Sequence, residues 1–291
     1  MTGAAATTVV VVAYNSAAVL GGCLESIPPG VPVVVVDNAS ADGSAALARQ
    51  VRPGATVLEA GRNLGFGPGA NLGLGAAGTP FGLLLNADAR LGPDTLPVLE
   101  AAAARYPEAA LLAPEIRTES GEMQVGHATP YTPPRARRLP EPWGDCCLDY
   151  VGGSAMFFRL AAWRGIGGFD PAIFLYHEDD DICLRLRAAG HALVHVAGGE
   201  VRHAGGRSSA PSPRLEWDKA WHQGWSRQHL EARHRGARAA WARLLAQWPA
   251  LRLKAALRQG DGRRVKWAGR AAGMLAWARG VQATQVGLDR R

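Results

Sequence analysis

Short, uninterrupted apolar runs alternate with helix-like stretches through the first two thirds of this chain, and this alternation limits the folds open to it. Runs that are apolar at every position are typical of strands covered on both faces. The predicted strands are residues 7–13, 31–36, 56–59, 81–85 and 110–113, and the predicted helices are residues 17–26, 42–51, 71–78 and 94–105. The pattern therefore predicts an α/β fold, with a mostly parallel central sheet and helices on both faces.

The later part of this region is less regular. Prolines at 130, 133, 134, 140 and 142 predict a long irregular connection between residues 121 and 149. Order is predicted to resume with a strand at 150–159, a helix from 178 to about 189, and strands at 191–196 and 200–203. In sheets of this kind ligands bind beyond the carboxyl ends of the strands, so side chains that follow strand ends are candidates for a site.

Composition excludes several classes of protein. With 47% hydrophobic and 20% charged residues, the chain has enough apolar material for a core and is not mainly disordered. No apolar run reaches the roughly 18 residues that span a bilayer. None of the four cysteines forms a C-x-x-C pair, so reduced thiols are expected. The apolar run near the N-terminus lacks a basic flank and is predicted to be a strand, not a secretion signal, which favours a cytoplasmic protein.

The net charge of +7 hides a division of the chain into two parts. Residues 1–206 hold 14 basic and 20 acidic side chains, whereas residues 207–291 hold 18 basic and 5 acidic ones. Seven of the nine tryptophans also lie in the second part. We therefore predict a catalytic body at 1–206 and a basic, tryptophan-rich helical segment at 207–291, with the boundary in a Gly/Ser/Pro cluster.

The C-terminal segment contains an amphipathic pattern. Apolar residues at helical spacing define one face: Trp241, Leu244, Leu245, Trp248 and Leu251. A second helix is predicted at 265–281, and Pro249 is expected to perturb the first. Basic amphipathic helices suit an anionic membrane surface, which makes this segment a candidate for peripheral attachment to the cytoplasmic face of the inner membrane. The alternative is that these helices pack on the body or on a second subunit, so a homo-oligomer is left open.

Two acids follow predicted strand ends. Asp37 ends the segment VVVVDNAS, and Asp88 ends LLLNAD. A carboxylate in such a place can bind a base or ribose, or hold Mg²⁺ or Mn²⁺ together with substrate phosphates. The alternative in both cases is an ordinary helix cap or turn.

The segment RNLGFGPGANLGLG lets the backbone approach a ligand closely, because it is rich in glycine. As a dinucleotide-binding fingerprint it is weak. The more informative segment is the acid cluster Glu178, Asp179, Asp180 and Asp181, followed by ICLRLR. An acid-capped helix start explains one or two of these acids, with Asp181 and Arg185 spaced to pair. Repulsion among four acids should raise at least one pKa, which suits a general base.

Taken in order, these segments resemble the family 2 glycosyltransferases of the GT-A fold, especially the bacterial rhamnosyltransferase-like branch. The resemblance covers residues 8–209 and is carried by seven motifs: VVAYNS, VVVVDNAS, RNLGFGPGANLG, LLLNAD, GGSAMFFR, GGFDPAIFLYHEDDDICLRLRAAG and VRHAGG. It implies an inverting, metal-dependent transfer of a sugar, with L-rhamnose as the first guess, from a dTDP-, UDP- or GDP-linked donor. The implied acceptor is a hydroxyl of a glycan, a lipid-linked molecule or a small molecule.

The resemblance also implies roles for individual residues. Asp179 corresponds to the catalytic base, and Asp88 and His203 correspond to the metal site. Donor or nucleotide contacts are implied for Tyr14, Asn15, Asp37, Asn63, Gly65, Phe66, Asn71, Asn86 and Ala87. Contacts with the acceptor are implied for Gly153, Ser154 and Glu178, and the expected cofactor is Mg²⁺ or Mn²⁺.

Some positions depart from the family pattern. Asn86 begins the metal motif, Ala87 replaces a frequent proline, and Pro68 leaves the contacts of the glycine loop open. Rival interpretations are a non-catalytic nucleotide-sugar-binding scaffold, a nicotinamide oxidoreductase, a nucleotidyltransferase and a nucleic-acid binder acting through the basic segment. The intact acids and His203 disfavour the scaffold, the acid cluster disfavours the two other enzymes, and the acidic body disfavours nucleic acid as a partner.

Overall fold

A computed structural model describes residues 6–124, 129–132, 144–205, 212–257 and 262–288. The described strands are β1 Thr7–Ala13, β2 Val33–Asp37, β3 Thr56–Glu59, β4 Phe81–Asn86, β5 Ala89–Leu91, β6 Ala109–Arg117, β7 Cys146–Cys147, β8 Ala155–Arg159 and β9 Ala192–His203. The described helices are α1 Ala17–Glu25, α2 Ser44–Val51, α3 Phe66–Gly75, α4 Thr95–Arg105, α5 Leu160–Gly165, α6 Glu178–Ala188, α7 Pro213–Arg235, α8 Ala237–Leu257 and α9 Gly262–Ala278.

The chain divides into two compact units, and neither is continuous in sequence. Unit 1 comprises Met1–Asn63, Gly69–Phe169 and Ile182–Ser209. Unit 2 comprises Leu64–Pro68, Asp170–Asp181 and Ala210–Arg291. The predicted boundary between residues 206 and 207 lies outside the described residues, and the division at that point stays a prediction.

Unit 1 contains a mixed sheet in the order β3-β2-β1-β4-β8-β6-β9-β5, with β7 paired to β9. The strands β3, β2, β1 and β4 run parallel, as do β6 and β9. Antiparallel pairing joins β8 to β4 and β6, and joins β5 and β7 to β9. The predicted α/β class, with parallel strands from the alternating N-terminal half, is confirmed.

The apolar runs are buried on both faces because helices cover both sides of the sheet. Val9 and Val11 of β1 lie in one core with Leu20 and Leu24 of α1. Because side chains alternate along a strand, Val10 faces the opposite side. There α3 packs so closely that a Cβ at Gly73 would lie 2.3 Å from Val10 Cγ1, so this helix needs glycine at the contact.

Several predicted boundaries are wrong in detail. The helix α3 begins at Phe66, inside the predicted glycine loop, and β8 begins at Ala155, five residues later than predicted. The strands predicted at 191–196 and 200–203 form the single strand β9. The expected break is an irregularity inside it, where the N–H groups of Ala197 and Gly198 donate to the carboxylates of Asp145 and Glu115.

Unit 2 contains a helical segment whose first helix the sequence analysis missed. The helices α7 and α9 pack closely, because a Cβ at Gly224 would lie 2.2 Å from the Arg270 carbonyl oxygen and one at Gly273 would lie 1.9 Å from that of Trp221. Pro249 lies inside α8 without ending it. No helix in the described ranges combines the length and hydropathy needed to cross a membrane.

The cysteines behave as the spacing predicts. Cys23 and Cys183 are buried, Cys146 and Cys147 are exposed, and all four are free thiols. Prolines 133, 134, 140 and 142 of the predicted irregular connection lie outside the described residues.

Candidate functional site

The loops that follow β1 and β2 in unit 1 are fastened to each other. Asn15 has a φ of 49° and Ala39 has a φ of 65°, so both occupy the left-handed region that non-glycine residues rarely adopt. The Asn15 N–H donates to Ser40 Oγ at 3.0 Å, and the Ala41 N–H donates to Asn15 Oδ1 at 2.8 Å. This mutual bonding holds strained backbone in place, which is common at ligand sites.

Two polar atoms at this edge lack partners among the described residues. Asp37 is buried, and its Oδ2 accepts a hydrogen bond from the Ser40 N–H at 3.2 Å, but its Oδ1 is unpaired. The buried hydroxyl of Tyr14 is unpaired too. The N-cap of α2 is Gly43, so capping does not explain Asp37. Unpaired buried polar atoms carry a desolvation cost, which a bound ligand can offset.

The fold brings Asp88 and His203 together, although 114 residues separate them in sequence. Strands β5 and β9 pair so that Ala89 lies opposite His203. His203 Nε2 is consequently 3.2 Å from Asp88 Oδ1, and both side chains are largely buried. The two residues predicted to hold a metal therefore form one contact pair.

The neighbours of His203 indicate which of its two ring nitrogens carries the proton. His203 Nδ1 lies 3.2 Å from Gln124 Oε1 and 3.3 Å from Ser154 Oγ. An amide oxygen can only accept, so Nδ1 donates to it, and in the neutral ring Nε2 presents a lone pair to the carboxylate. Two facing acceptors need a proton or a cation between them.

A divalent cation fits this pair. Adjacent ligands of an octahedral Mg²⁺ lie about 2.9 Å apart, which is close to the observed 3.2 Å between Nε2 and Oδ1. Within the described ranges no group of three or more His, Cys, Asp or Glu side chains is arranged to hold a metal. The remaining positions would fall to phosphate oxygens and water, as is usual for Mg²⁺.

The other predicted residues of this region surround the pair. Asn86 Nδ2 lies 3.5 Å from His203 Nε2, and the Asn86 N–H donates to the Ser154 carbonyl oxygen. Ala87 is buried in the core and contributes no polar side-chain atom. Ser154, predicted on the acceptor side, is therefore a neighbour of the Asp88–His203 pair.

A cavity of about 260 Å³ lies in unit 1 beside Ser154. Its lining is mostly apolar and comprises Ala113, Pro114, Ile116, Met123, Gln124, Leu148, Tyr150, Val151, Gly152, Ser154, Ala155 and His195. Gln124 and Ser154 line this cavity and also contact His203. A substrate in the cavity would thus touch two side chains that also contact His203. Gly153 lies between two lining residues.

The predicted donor loop at 63–71 is divided between the two units. Asn63 accepts a hydrogen bond from the Asn38 amide in unit 1. Asn71 also belongs to unit 1, where its amide exchanges hydrogen bonds with both backbone groups of Phe169. In unit 2, the Phe66 N–H donates to the Phe174 carbonyl oxygen, and Gly65 has a φ of +91° with no room for a Cβ. Gly65 is thus required by both its backbone conformation and its close contact.

The acid cluster in unit 2 begins α6 after two strained residues. Tyr176 and His177 have φ values of 65° and 66°. The four acids then take different roles. Asp180 pairs with His177, with 2.7 Å between Oδ2 and Nδ1. Asp181 instead contacts two residues of α7: its Oδ1 lies 2.8 Å from His234 Nε2 and 3.2 Å from Arg233 Nε. Asp181 is fully buried, and its role is to form an ion network with α7.

The two remaining acids, Glu178 and Asp179, are the candidates for a role in catalysis. Burial, and then the charges of Asp179 and Asp180, raise the pKa of Glu178 well above its ordinary value. Glu178 Oε2 is buried and has no hydrogen-bond partner in the described structure. Asp179 is only partly buried, and its Oδ1 accepts from the Asp180 N–H at 2.9 Å. The expected repulsion among the acids is thus found at Glu178, with burial as the larger cause.

The same ion network holds Asp170. Its carboxylate accepts from His229 Nε2 and pairs with Arg233, each at 3.0 Å. Burial alone would raise the pKa of Asp170, but hydrogen bonds from His229 and the Ala172 N–H and the charges of His229 and Arg233 lower it to about 2. Both ends of the segment 170–181 are therefore anchored to α7.

Sequence reasoning missed Gln124 and the α7 residues His229, Arg233 and His234. Gln124 lies in the proline-rich stretch, where no periodic pattern marks a single residue. A signal for α7 was available, because Trp217, Trp221 and Trp225 recur every four residues. Its ion partners had no local signal, since they depend on tertiary contacts.

Solved structures of glycosyltransferases share the fold of this chain. The mannosyltransferase PcManGT from Pyrobaculum calidifontis, in complex with GDP-Man and Mn²⁺, matches with a TM-score of 0.57 and 18% identity over 94% of this chain and 87% of that chain. S. aureus TarS 1-349 in complex with UDP matches with a TM-score of 0.55 and 15% identity over 94% and 91%. At these identities the likeness shows the fold, which is the GT-A fold of glycosyltransferases.

Sequence similarity narrows this class to a family. Residues 8–165, more than half of the chain, match the model of glycosyl transferase family 2, and the chain belongs to that family. The N-acetylglucosaminyl-diphospho-decaprenol L-rhamnosyltransferase of Mycobacterium tuberculosis is 30% identical over 222 residues, which are 63% of this chain and 69% of that protein. Rhamnosyltransferase WbbL of Escherichia coli is 41% identical over 54 residues, or 19% and 20% of the two chains. The predicted enzyme class and the rhamnosyltransferase-like resemblance are confirmed.

Proposed function

We propose that this glycosyltransferase moves a sugar, with L-rhamnose as the first candidate, from a nucleoside diphosphate to an acceptor hydroxyl with inversion at C1. The contact between Asp88 and His203 carries the proposal, because two acceptors 3.2 Å apart in a buried site suit a cation that neutralises a diphosphate. The rhamnosyl donor is suggested by the two rhamnosyltransferase relatives.

The nucleoside would bind at the edge formed by the loops after β1 and β2. The unpaired Asp37 Oδ1 can accept a hydrogen bond from a base or ribose, and the Tyr14 hydroxyl can donate one. Asn15, Asn63 and Asn86 remain predicted donor contacts, as do Gly65, Phe66, Asn71 and Ala87. The donor base would be thymine if the sugar is rhamnose, with UDP and GDP donors as the alternatives.

Asp88 Oδ1 and His203 Nε2 would hold Mg²⁺ or Mn²⁺. When bound, this cation supplies Lewis acidity that stabilises charge on the departing diphosphate. Gln124 keeps the proton of His203 on Nδ1, and so keeps Nε2 available as a ligand.

Asp179 is the proposed general base. Its carboxylate takes the proton of the acceptor hydroxyl while that oxygen forms a bond to C1 of the sugar. The bond between C1 and the diphosphate oxygen breaks, and its electron pair leaves with the nucleoside diphosphate. Glu178, whose pKa burial raises well above its ordinary value, is the proposed acceptor contact of unit 2, and Gly153 and Ser154 are those of unit 1.

The acceptor is proposed to be lipid-linked. The mycobacterial relative is named for a diphospho-decaprenol acceptor. The mostly apolar cavity beside Ser154 can take an apolar portion of a substrate next to the Asp88–His203 pair. Such an acceptor is presented at a membrane, which agrees with the predicted attachment of residues 207–291 to an anionic surface and needs no nucleic acid.

A nucleotide panel tests the donor part of this proposal. We expect one of dTDP, UDP and GDP to raise the midpoint of thermal unfolding, and Mn²⁺ to enlarge that rise. The reason is that a ligand of the folded state stabilises it by RT ln(1 + [L]/Kd), so the shifts rank the nucleotides. Differential scanning fluorimetry with and without Mn²⁺ measures this, and NADH serves as the comparison. A shift with NADH alone would overturn the transferase assignment.

A substitution at Asp88 tests the metal part. Asp88→Asn should abolish the increment that Mn²⁺ adds to the nucleotide-dependent shift, because an amide is a poor substitute for a charged ligand, while the metal-independent shift persists. Asp94→Asn is the matched control, since Asp94 is an exposed acid at the start of α4 whose side chain makes no capping hydrogen bond. An undiminished Mn²⁺ increment in Asp88→Asn would remove Asp88 from the metal site.

A further inference from the structure

The outward face of α8 is unusual for a helix in contact with water. Of the five large hydrophobic side chains exposed in the described ranges, four lie on α8: Trp241 at 46%, Leu245 at 72%, Leu253 at 59% and Leu257 at 73%. The fifth is Leu72, at 40%. This concentration on one helix distinguishes α8 from scattered exposed side chains, which are normal on any protein.

The rest of the exposed face follows the same pattern. Fourteen residues of α8 are exposed, and ten of them are alanine, leucine, proline or tryptophan. The remaining four are Arg238, Gln247, Arg252 and Lys254, and the helix contains no acid. The opposite face is also apolar, with Ala240, Leu244 and Ala255 buried. A helix that is apolar on both faces needs a partner on its outward face.

We propose that the outward face of α8 lies on an anionic membrane surface, which deepens the proposed function by naming the element that meets the lipid. The positive charges on this face favour anionic lipid over a second copy of the chain as the binding partner. In a symmetric dimer the same patch meets itself, so Arg238, Arg252 and Lys254 would face their own copies without an acid on α8 to compensate. Anionic headgroups supply that charge, while the exposed leucines enter the acyl boundary.

The arrangement assigns different tasks to the tryptophans of the basic segment. Trp221 and Trp225 are buried in the core of unit 2 with Phe174, so they are structural. Trp241 is half exposed and suits the interfacial level of a bilayer. The proposal therefore narrows the predicted membrane contact of residues 207–291 to α8, because α7 and α9 pack closely against each other.

Vesicle binding by the full chain tests the proposal. With vesicles of phosphatidylcholine and phosphatidylserine, the double substitution Leu245→Gln/Leu253→Gln should weaken binding at least about tenfold, because it removes two side chains from the apolar contact. The triple substitution Arg238→Gln/Arg252→Gln/Lys254→Gln should weaken it about a hundredfold on these vesicles and little on pure phosphatidylcholine. Leu72→Gln, at the exposed leucine outside α8, should bind vesicles as the unsubstituted protein does.

The nucleotide-dependent thermal shift is measured on every variant, since it reports folding and donor binding without lipid. Loss of vesicle binding with an intact shift supports the α8 face. Unchanged vesicle binding in the Leu245/Leu253 variant overturns it. So does a dimer in solution that this variant converts to a monomer, because a second copy would then be the occupant. Absence of any nucleotide shift in the unsubstituted protein would count against the proposed function and not against the α8 face.

Discussion

Asp179→Asn is expected to lower the turnover number for sugar transfer by about 10²–10⁴-fold, the range by which general bases contribute to catalysis. Asparagine cannot accept the proton of the acceptor hydroxyl, but it keeps the shape of the side chain and the oxygen that accepts from the Asp180 N–H. The Kd of the nucleoside diphosphate should therefore stay within about twofold, since donor binding does not depend on this proton. Radiolabelled transfer at saturating substrate measures the first quantity, and calorimetry measures the second.

The neighbouring acid makes this experiment decisive. Glu178 also has a perturbed environment, because burial and the charges of Asp179 and Asp180 raise its pKa. Glu178→Gln leaves the proposed base Asp179 in place, so it should cost much less turnover than Asp179→Asn. The reverse order, with turnover kept in Asp179→Asn and lost in Glu178→Gln, would move the role of base to Glu178. Asp94→Asn again controls for the loss of one negative charge.

Local patterns were sufficient for the N-terminal half of the sheet. The strand β1 and the helix α1 were predicted nearly to the residue, because a short run rich in β-branched residues favours a buried strand and the polar residues after it separate it from the helix. The same reasoning failed for β9, because its two central glycines interrupt the apolar pattern in the sequence although the strand is continuous. Side-chain oxygens from Asp145 and Glu115 bond the N–H groups at that point, and such contacts cannot be predicted from a local pattern.

The candidate site was predictable as a list of residues but not as an arrangement. Asp88 and His203 were named from the family resemblance, whereas their contact depends on the register of the three-residue strand β5 against β9. Gln124, which fixes the tautomer of His203, had no signal at all. The family motif implied roles for both Asp179 and Glu178. Only the structure shows that Glu178 is buried and has a raised pKa, whereas Asp179 is partly exposed.

The ion pairs of the C-terminal segment could not be predicted from the sequence either. Its charge and tryptophan content predicted helices, which α7, α8 and α9 confirm, and a membrane interface, which stays a prediction. Composition could not show that α7 contacts the segment 170–181, which contains the proposed base Asp179, through ion pairs. Those pairs join residues 52 to 63 positions apart, so no local pattern marks them.

Asp181→Asn is expected to lower the free energy of unfolding by about 3 kcal/mol, a large part of the 5–15 kcal/mol that typically stabilises a protein. Asp181 is fully buried, and its carboxylate contacts His234 and Arg233. Removing one partner leaves the others buried without compensation, which costs about 3–5 kcal/mol. We expect the lower end because the Arg233 side chain is 42% exposed and water can solvate part of its charge.

Urea unfolding followed by tryptophan fluorescence measures this loss, with Trp221 and Trp225 as reporters buried in the same unit. A double-mutant cycle with His234→Ala isolates the pair, and a coupling of about 1 kcal/mol or more is expected for groups in hydrogen-bond contact. Glu216→Gln is the matched control, because Glu216 forms a half-exposed ion pair with Lys266 that should be worth under about 1 kcal/mol. Equal losses in Asp181→Asn and Glu216→Gln would show that the network does not hold the segment 170–181, and the anchoring of the acid cluster by α7 would have to be abandoned.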